Sequence, residues 1–140
     1  MLKNLSPVIT GEVLHHLDEL KPGELLAVVS SGYPVGNLSS PVIEIENASI
    51  EETAEAVFSV LTLDHEQSPL LCWFPEDASE DELDIAFAVQ GLASDAESRA
   101  VEVRLLEEGE FAGYVGGAVA TFRTSSNAGP CAFLIRAGAH

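Results

Sequence analysis

Three apolar runs bounded by turn residues constrain this chain more than any other feature: Leu25-Leu26-Ala27-Val28-Val29, Leu70-Leu71-Cys72-Trp73-Phe74 and Cys131-Ala132-Phe133-Leu134-Ile135. A strand with one wet face alternates apolar and polar residues, so a turn-bounded run without a polar position suits a strand covered on both faces. Each run is bounded by turn residues: Lys21-Pro22-Gly23 before the first, Pro75 after the second, Gly129-Pro130 before the third. Proline lacks the backbone donor that continues an element, and glycine accepts positive φ.

Amphipathic segments lie between the runs. Thr10 can cap a helix through about Leu20, with Val13, Leu14, Leu17 and Leu20 at helical spacing. Ser49 with Glu52, and Ser79 with Glu82, form capping boxes that open two further helices, the first to about Leu61 and the second through Val89 toward Leu92. Val42–Ile45 and Val101–Leu106 read as strands, Glu107 to about Tyr114 as a weak, glycine-rich helix, and Ala118–Arg123 and Cys131–Arg136 as the closing strands. Too few residues join that last pair for a helical crossover, which favours an antiparallel end pair. Strands alternating with helices predict a three-layer α/β domain over residues 1–140, a mostly parallel central sheet with helices on both faces.

Charge narrows the partners. Against 23 Asp+Glu stand 6 Lys+Arg, a formal charge of −17, although 46% of residues are apolar. Such a surface repels phosphate backbones and anionic headgroups, so neither nucleic acid nor membrane is expected as partner. No stretch approaches the length of a bilayer span and no leader pattern opens the chain, so the expected location is the cytoplasm. Cys72 and Cys131 sit in apolar runs and read as buried free thiols. No Cys/His cluster has metal-ligand spacing, and neither a phosphate loop nor a Gly-x-Ser-x-Gly elbow is present. His15 and His16 fall about 100° apart on one helix and cannot converge on one atom; His65 and His140 carry no pattern. Neutral small ligands and protein partners remain.

In open α/β sheets ligands sit outside the carboxyl ends of strands. That rule selects Ser30–Pro34 and Thr124–Pro130, whose Ser30, Tyr33, Ser126 and Asn127 could hydrogen-bond a polyol, with Tyr33 stacking on its apolar face. Arg104, Arg123 and Arg136, the scarce cations, each lie near a strand end and leave an anionic ligand as the least favoured choice.

The opening Met1-Leu2-Lys3-Asn4-Leu5-Ser6-Pro7-Val8-Ile9 with Glu12-Val13-Leu14, the stretch from Pro41-Val42-Ile43 to Ser68-Pro69-Leu70-Leu71, and the closing Phe133-Leu134-Ile135-Arg136-Ala137-Gly138 resemble the ribose pyranase/L-fucose mutarotase family. The resemblance implies the α/β fold, a neutral fucose- or ribose-like monosaccharide as ligand, and interconversion of its anomers or ring forms without a cofactor. It also implies a homo-oligomer with sites near subunit contacts. Ring opening and closing need one group to take the anomeric proton and another to protonate the ring oxygen. The family supplies a histidine in a Gly-His-Gly-Asp turn, an aspartate after the first strand and a late Tyr-x-Asn. Here the turn reads Lys21-Pro22-Gly23-Glu24, Ser30 stands at the aspartate and Pro130-Cys131-Ala132 at the late motif. Glu24 is then the expected catalytic acid/base, and Ser30, Tyr33, Ser126 and Asn127 the expected sugar contacts. The alternative is an inactive relative acting as an oligomeric sugar-binding or regulatory protein.

Overall fold

The first apolar run forms β1 (Leu25–Val29), and all five of its residues are buried. In the computed structural model, residues 8–36, 38, 40–125 and 131–139 are described, without the side chains of Asp81 and Glu82. The second and third runs form β3 (Leu70–Trp73) and β6 (Ala132–Arg136). Between and beside them lie α1 (Gly11–Asp18), β2 (Val42–Ile45), α2 (Ile50–Phe58), α3 (Glu80–Glu97), β4 (Val103–Leu105), α4 (Glu108–Gly116) and β5 (Ala120–Thr124). Among the described residues no helix is long and apolar enough to cross a membrane.

The six strands form one sheet in the order β2-β5-β1-β6-β3-β4. The β1/β5, β2/β5 and β3/β4 pairs are parallel, and β6 runs antiparallel to both its neighbours, β1 and β3. The closing strands are indeed opposite in direction, but they do not pair with each other. They flank β1, which pairs with β5 along one edge and with β6 along the other.

Side chains alternate across the pleat and divide into two cores. Leu26, Val28, Phe122, Phe133 and Ile135 pack under α1, α2 and α3 through Val13, Leu17, Ile50, Val57, Val89 and Ala93. Leu25, Ala27, Val29, Leu71, Ala132 and Leu134 pack against Phe111 and Val115 of α4, with Tyr33 and Trp73 at the margin. Helices therefore cover both faces: among the described residues α1, α2 and α3 lie on one and the short α4 on the other.

Local signals explain most boundaries. The Thr10 hydroxyl accepts from the Val13 amide at 3.2 Å, and the Ser49–Glu52 capping box is complete. Gly23 at φ 89 makes the turn into β1, a conformation that strains any side chain. α1 and α2 end two or three residues before the apolar spacing does, at Asp18 and Phe58, whereas α3 runs five residues past Leu92 to Glu97.

The chain end is clipped to the α2–β3 connection. Leu63 bridges Ala137, and the Gly138 amide donates to the Thr62 carbonyl at 2.7 Å. A Cβ at position 138 would collide with the Leu63 carbonyl group and lie 2.9 Å from the Asp64 amide nitrogen. Backbone on both sides leaves no flexible group to yield. Gly138→Ala is therefore expected to destabilise the protein by about 1–3 kcal/mol; an unchanged denaturation midpoint would contradict this packing.

Candidate functional site

Where β1 and β3 end, β6 begins between them. Val29 and Trp73 both face Ala132 in register, so three residues on the α4 side of the sheet stand in one row. The small central side chain separates the two larger ones. Beyond β1 the chain turns back, the Tyr33 amide donating to the Ser30 carbonyl at 3.1 Å. This brings the Tyr33 ring edge-on to Trp73, with centroids 5.7 Å apart, and to Phe111 of α4 at 6.0 Å. Such edge-to-face contacts fix ring orientation and add about 0.5–1.5 kcal/mol each.

A cavity of about 230 Å³ opens at this cluster, lined by Tyr33, Trp73, Leu38, Val115 and Glu108. A second lobe of about 870 Å³ lies across Trp73 and Glu108, at the carboxyl ends of β3 and β4. Burial, and secondarily the negative charge of Glu108, hold the Tyr33 phenol above its ordinary 10.0. At neutral pH the phenol keeps its proton and can donate it, with the charge of Glu108 within electrostatic reach. A different groove, of about 470 Å³, runs between α1 and the end of α2 past Leu14, His15 and Val60. It lies on the helical layer, away from the strand ends, and His15 there pairs with Glu19 at 3.2 Å.

The structure brings together only part of the expected constellation. Tyr33 lines the cavity. Ser30 is fully buried, and its hydroxyl accepts from the Cys131 amide at 3.0 Å while its own amide donates to the Cys131 carbonyl. That hydroxyl fastens β1 to β6 by one residue beyond the ladder. Glu24 lies at the opposite end of β1 from Ser30, a separation of roughly 20 Å for six residues of extended chain. Its carboxylate accepts from the Lys21 amide at 2.7 Å and closes the turn. Ser126 and Asn127, like His140 and the opening residues 1–7, fall outside the described residues.

The cations near strand ends are engaged. Arg123 donates to the Ser31 carbonyl at 3.0 Å and meets Glu44 at 3.4 Å; Arg136 donates to the Ser68 carbonyl; Arg104 lies 3.8 Å from Glu110. Among the described residues no group of three or more His, Cys, Asp or Glu is arranged to hold a metal ion.

Sequence reasoning missed Trp73 and Glu108. Trp73 ends a buried run, so the strand-end rule that selected Tyr33 applied to it equally. Glu108 resembled one more acidic residue in a helix's first turn, and nothing local distinguishes it from Glu110.

No family model and no curated protein matches the chain. Solved structures do, over nearly the whole length. The chain is similar to Atu2016, to which sugar binding is ascribed, with TM-score 0.86 and 24% identity over 100% of this chain and 97% of that one. It is similar to the fucose mutarotase of Streptococcus pneumoniae, solved in complex with L-fucose, with TM-score 0.80 and 16% identity over 99% of each chain. RbsD of Bacillus subtilis, complexed with D-ribose, superposes with TM-score 0.73 and 15% identity over 100% and 99%. The protein thus has the α/β fold of the fucose mutarotase and RbsD, as the resemblance in its opening and closing segments implied.

Proposed function

We propose that this chain binds an unphosphorylated monosaccharide of fucose or ribose size in the Tyr33–Trp73–Glu108 cleft and exchanges its anomers or ring forms. One observation carries the reading. Two aromatic rings, a protonated phenol and a carboxylate converge on one 230 Å³ cavity at the carboxyl ends of β1 and β3. A sugar ring offers an apolar face to an aromatic wall and hydroxyls to polar groups, and a concave site with few polar groups suits it. The fold shared with a fucose mutarotase and with RbsD supports the same ligand class.

Ring opening here assigns the anomeric hydroxyl proton to Glu108 and the proton for the ring oxygen to Tyr33. The C1–O5 bond breaks as the carbonyl forms, and closure on either face returns both protons. No cofactor takes part. Glu24 reaches such a cleft only from a second copy of the chain, so its catalytic role goes with a homo-oligomer whose sites lie at subunit contacts. Two buried free thiols suit a reducing compartment, the cytoplasm.

A second reading, sugar binding without turnover in an oligomeric regulatory protein, is favoured by the commitment of the Glu24 carboxylate and the Ser30 hydroxyl to main-chain amides. Saturation-transfer and anomeric-exchange NMR separate the two. Trp73→Ala is expected to weaken sugar binding about tenfold through lost apolar contact. Tyr33→Phe is expected to keep binding and slow exchange by about 10²–10⁴-fold. Binding without accelerated exchange in the native protein selects the second reading; no saturation transfer at millimolar fucose, ribose or galactose removes both.

A further inference from the structure

We infer that the sugar suited to this cleft carries a protonated amine, so that an amino monosaccharide is its preferred ligand over neutral and phosphorylated sugars. The inference rests on the sugar-site reading above and adds a charge class to it.

The walls of the cleft are of one sign. Glu108 lines both lobes, Glu76 and Glu107 line the larger one, and among the described residues no Lys, Arg or His lines either. The nearest cation on β4, Arg104, is drawn to Glu110, and Arg123 is held by Glu44 and the Ser31 carbonyl. Among the described residues no cation on these walls neutralises the three glutamates. The chain-wide charge of −17 adds a field that gathers cations toward concave acidic surfaces.

The aromatic walls act in the same direction. An ammonium group is attracted to the faces of Trp and Tyr, and a carboxylate beside the ring supplies the counter-charge that a partly desolvated cation needs. Trp73 and Glu108 each line both cavities, so both attractions are available to one substituent. The negative charge of Glu108 already reaches the Tyr33 phenol within the cavity. A neutral sugar would use the rings and leave the carboxylates without a cation. A phosphorylated sugar would meet three carboxylates and no positive group.

The test is a matched series on the whole chain: galactosamine, galactose, N-acetylgalactosamine and galactose 6-phosphate, titrated at about pH 6, where an α-amino group is protonated. N-acetylation removes the charge and keeps the ring. Galactosamine is expected to bind about tenfold more tightly than galactose or its N-acetyl form, the sum of one cation–π contact and one ion pair. That advantage should shrink in about 1 M salt. Glu108→Gln should weaken galactosamine more than galactose and bring the two together; Glu107→Gln, at an exposed residue outside the proton-transfer pair that makes no side-chain cap, should narrow the gap with galactose binding unchanged. Equal affinity for the amine and the neutral sugar, or an amine preference untouched by Glu108→Gln, overturns the inference and leaves the sugar site standing. Absence of binding by every member of the series removes the sugar-site reading and this inference with it.

Discussion

Replacing Phe133 with alanine is expected to lower the free energy of unfolding by about 3–5 kcal/mol, seen as a shift of the denaturant midpoint at little-changed slope. Phe133 is completely buried at the centre of the sheet, in register with Val28 on one side and Cys72 on the other. Its ring stands perpendicular to that of Phe74 with centroids 6.0 Å apart. Truncation removes the ring's transfer free energy and leaves a cavity beneath α2 and α3 that strands fixed on both sides cannot close. Phe87, 70% exposed on α3, is the control: its replacement should change stability by no more than about 0.5 kcal/mol. A loss at Phe133 no larger than at Phe87 would mean that β6 does not occupy the middle of the sheet.

The second large effect concerns alkaline pH. Burial, reinforced by the neighbouring Cys131, pushes the Cys72 thiol up from 9.0 to about 12. The folded protein then keeps a proton that the unfolded chain releases near its ordinary value, so the unfolded state binds fewer protons in that window. Stability is full below about pH 9 and falls as pH rises toward about 12. Tyr33, also raised from 10.0, acts with the same sign. Denaturation midpoints taken from about pH 8 to about pH 11 should decline in the native protein and decline less in Cys72→Ala. The slope is the readout, whatever the substitution costs at neutral pH. Identical slopes would show that Cys72 stays neutral in neither state or in both, contrary to its burial.

The layout of strands was legible because burial on both faces leaves an unbroken apolar run. β1 coincides with Leu25–Val29, and the Ser49–Glu52 box marks the start of α2. Helix ends were less legible. The α3 segment loses its apolar spacing after Leu92, yet Ala93-Ser94-Asp95-Ala96-Glu97 holds no proline or glycine, so the helix continues until Ser98 takes φ 55. Strand order was not legible at all: a short connection says that β5 and β6 are opposed, and nothing local says that a strand from far upstream lies between them. The site divides in the same way. Tyr33 follows from its place at a strand end, whereas Trp73 and Glu108 join it through packing of segments distant in sequence. Ser30 read as a loop hydroxyl because the ladder's extra residue, closed onto Cys131, leaves no sequence mark.

The reversed strand has a consequence for how the molecule comes into being. Among the described residues β6 is the last strand, and it alone joins the β2-β5-β1 half of the sheet to the β3-β4 half. On the ribosome the two halves therefore wait unjoined, each with an open hydrogen-bonding edge, until the segment from Ala132 onward has emerged from the exit tunnel. Any product that stops short of it would expose Val29 and Trp73 along raw edges, the state in which β proteins are most prone to pair with their neighbours.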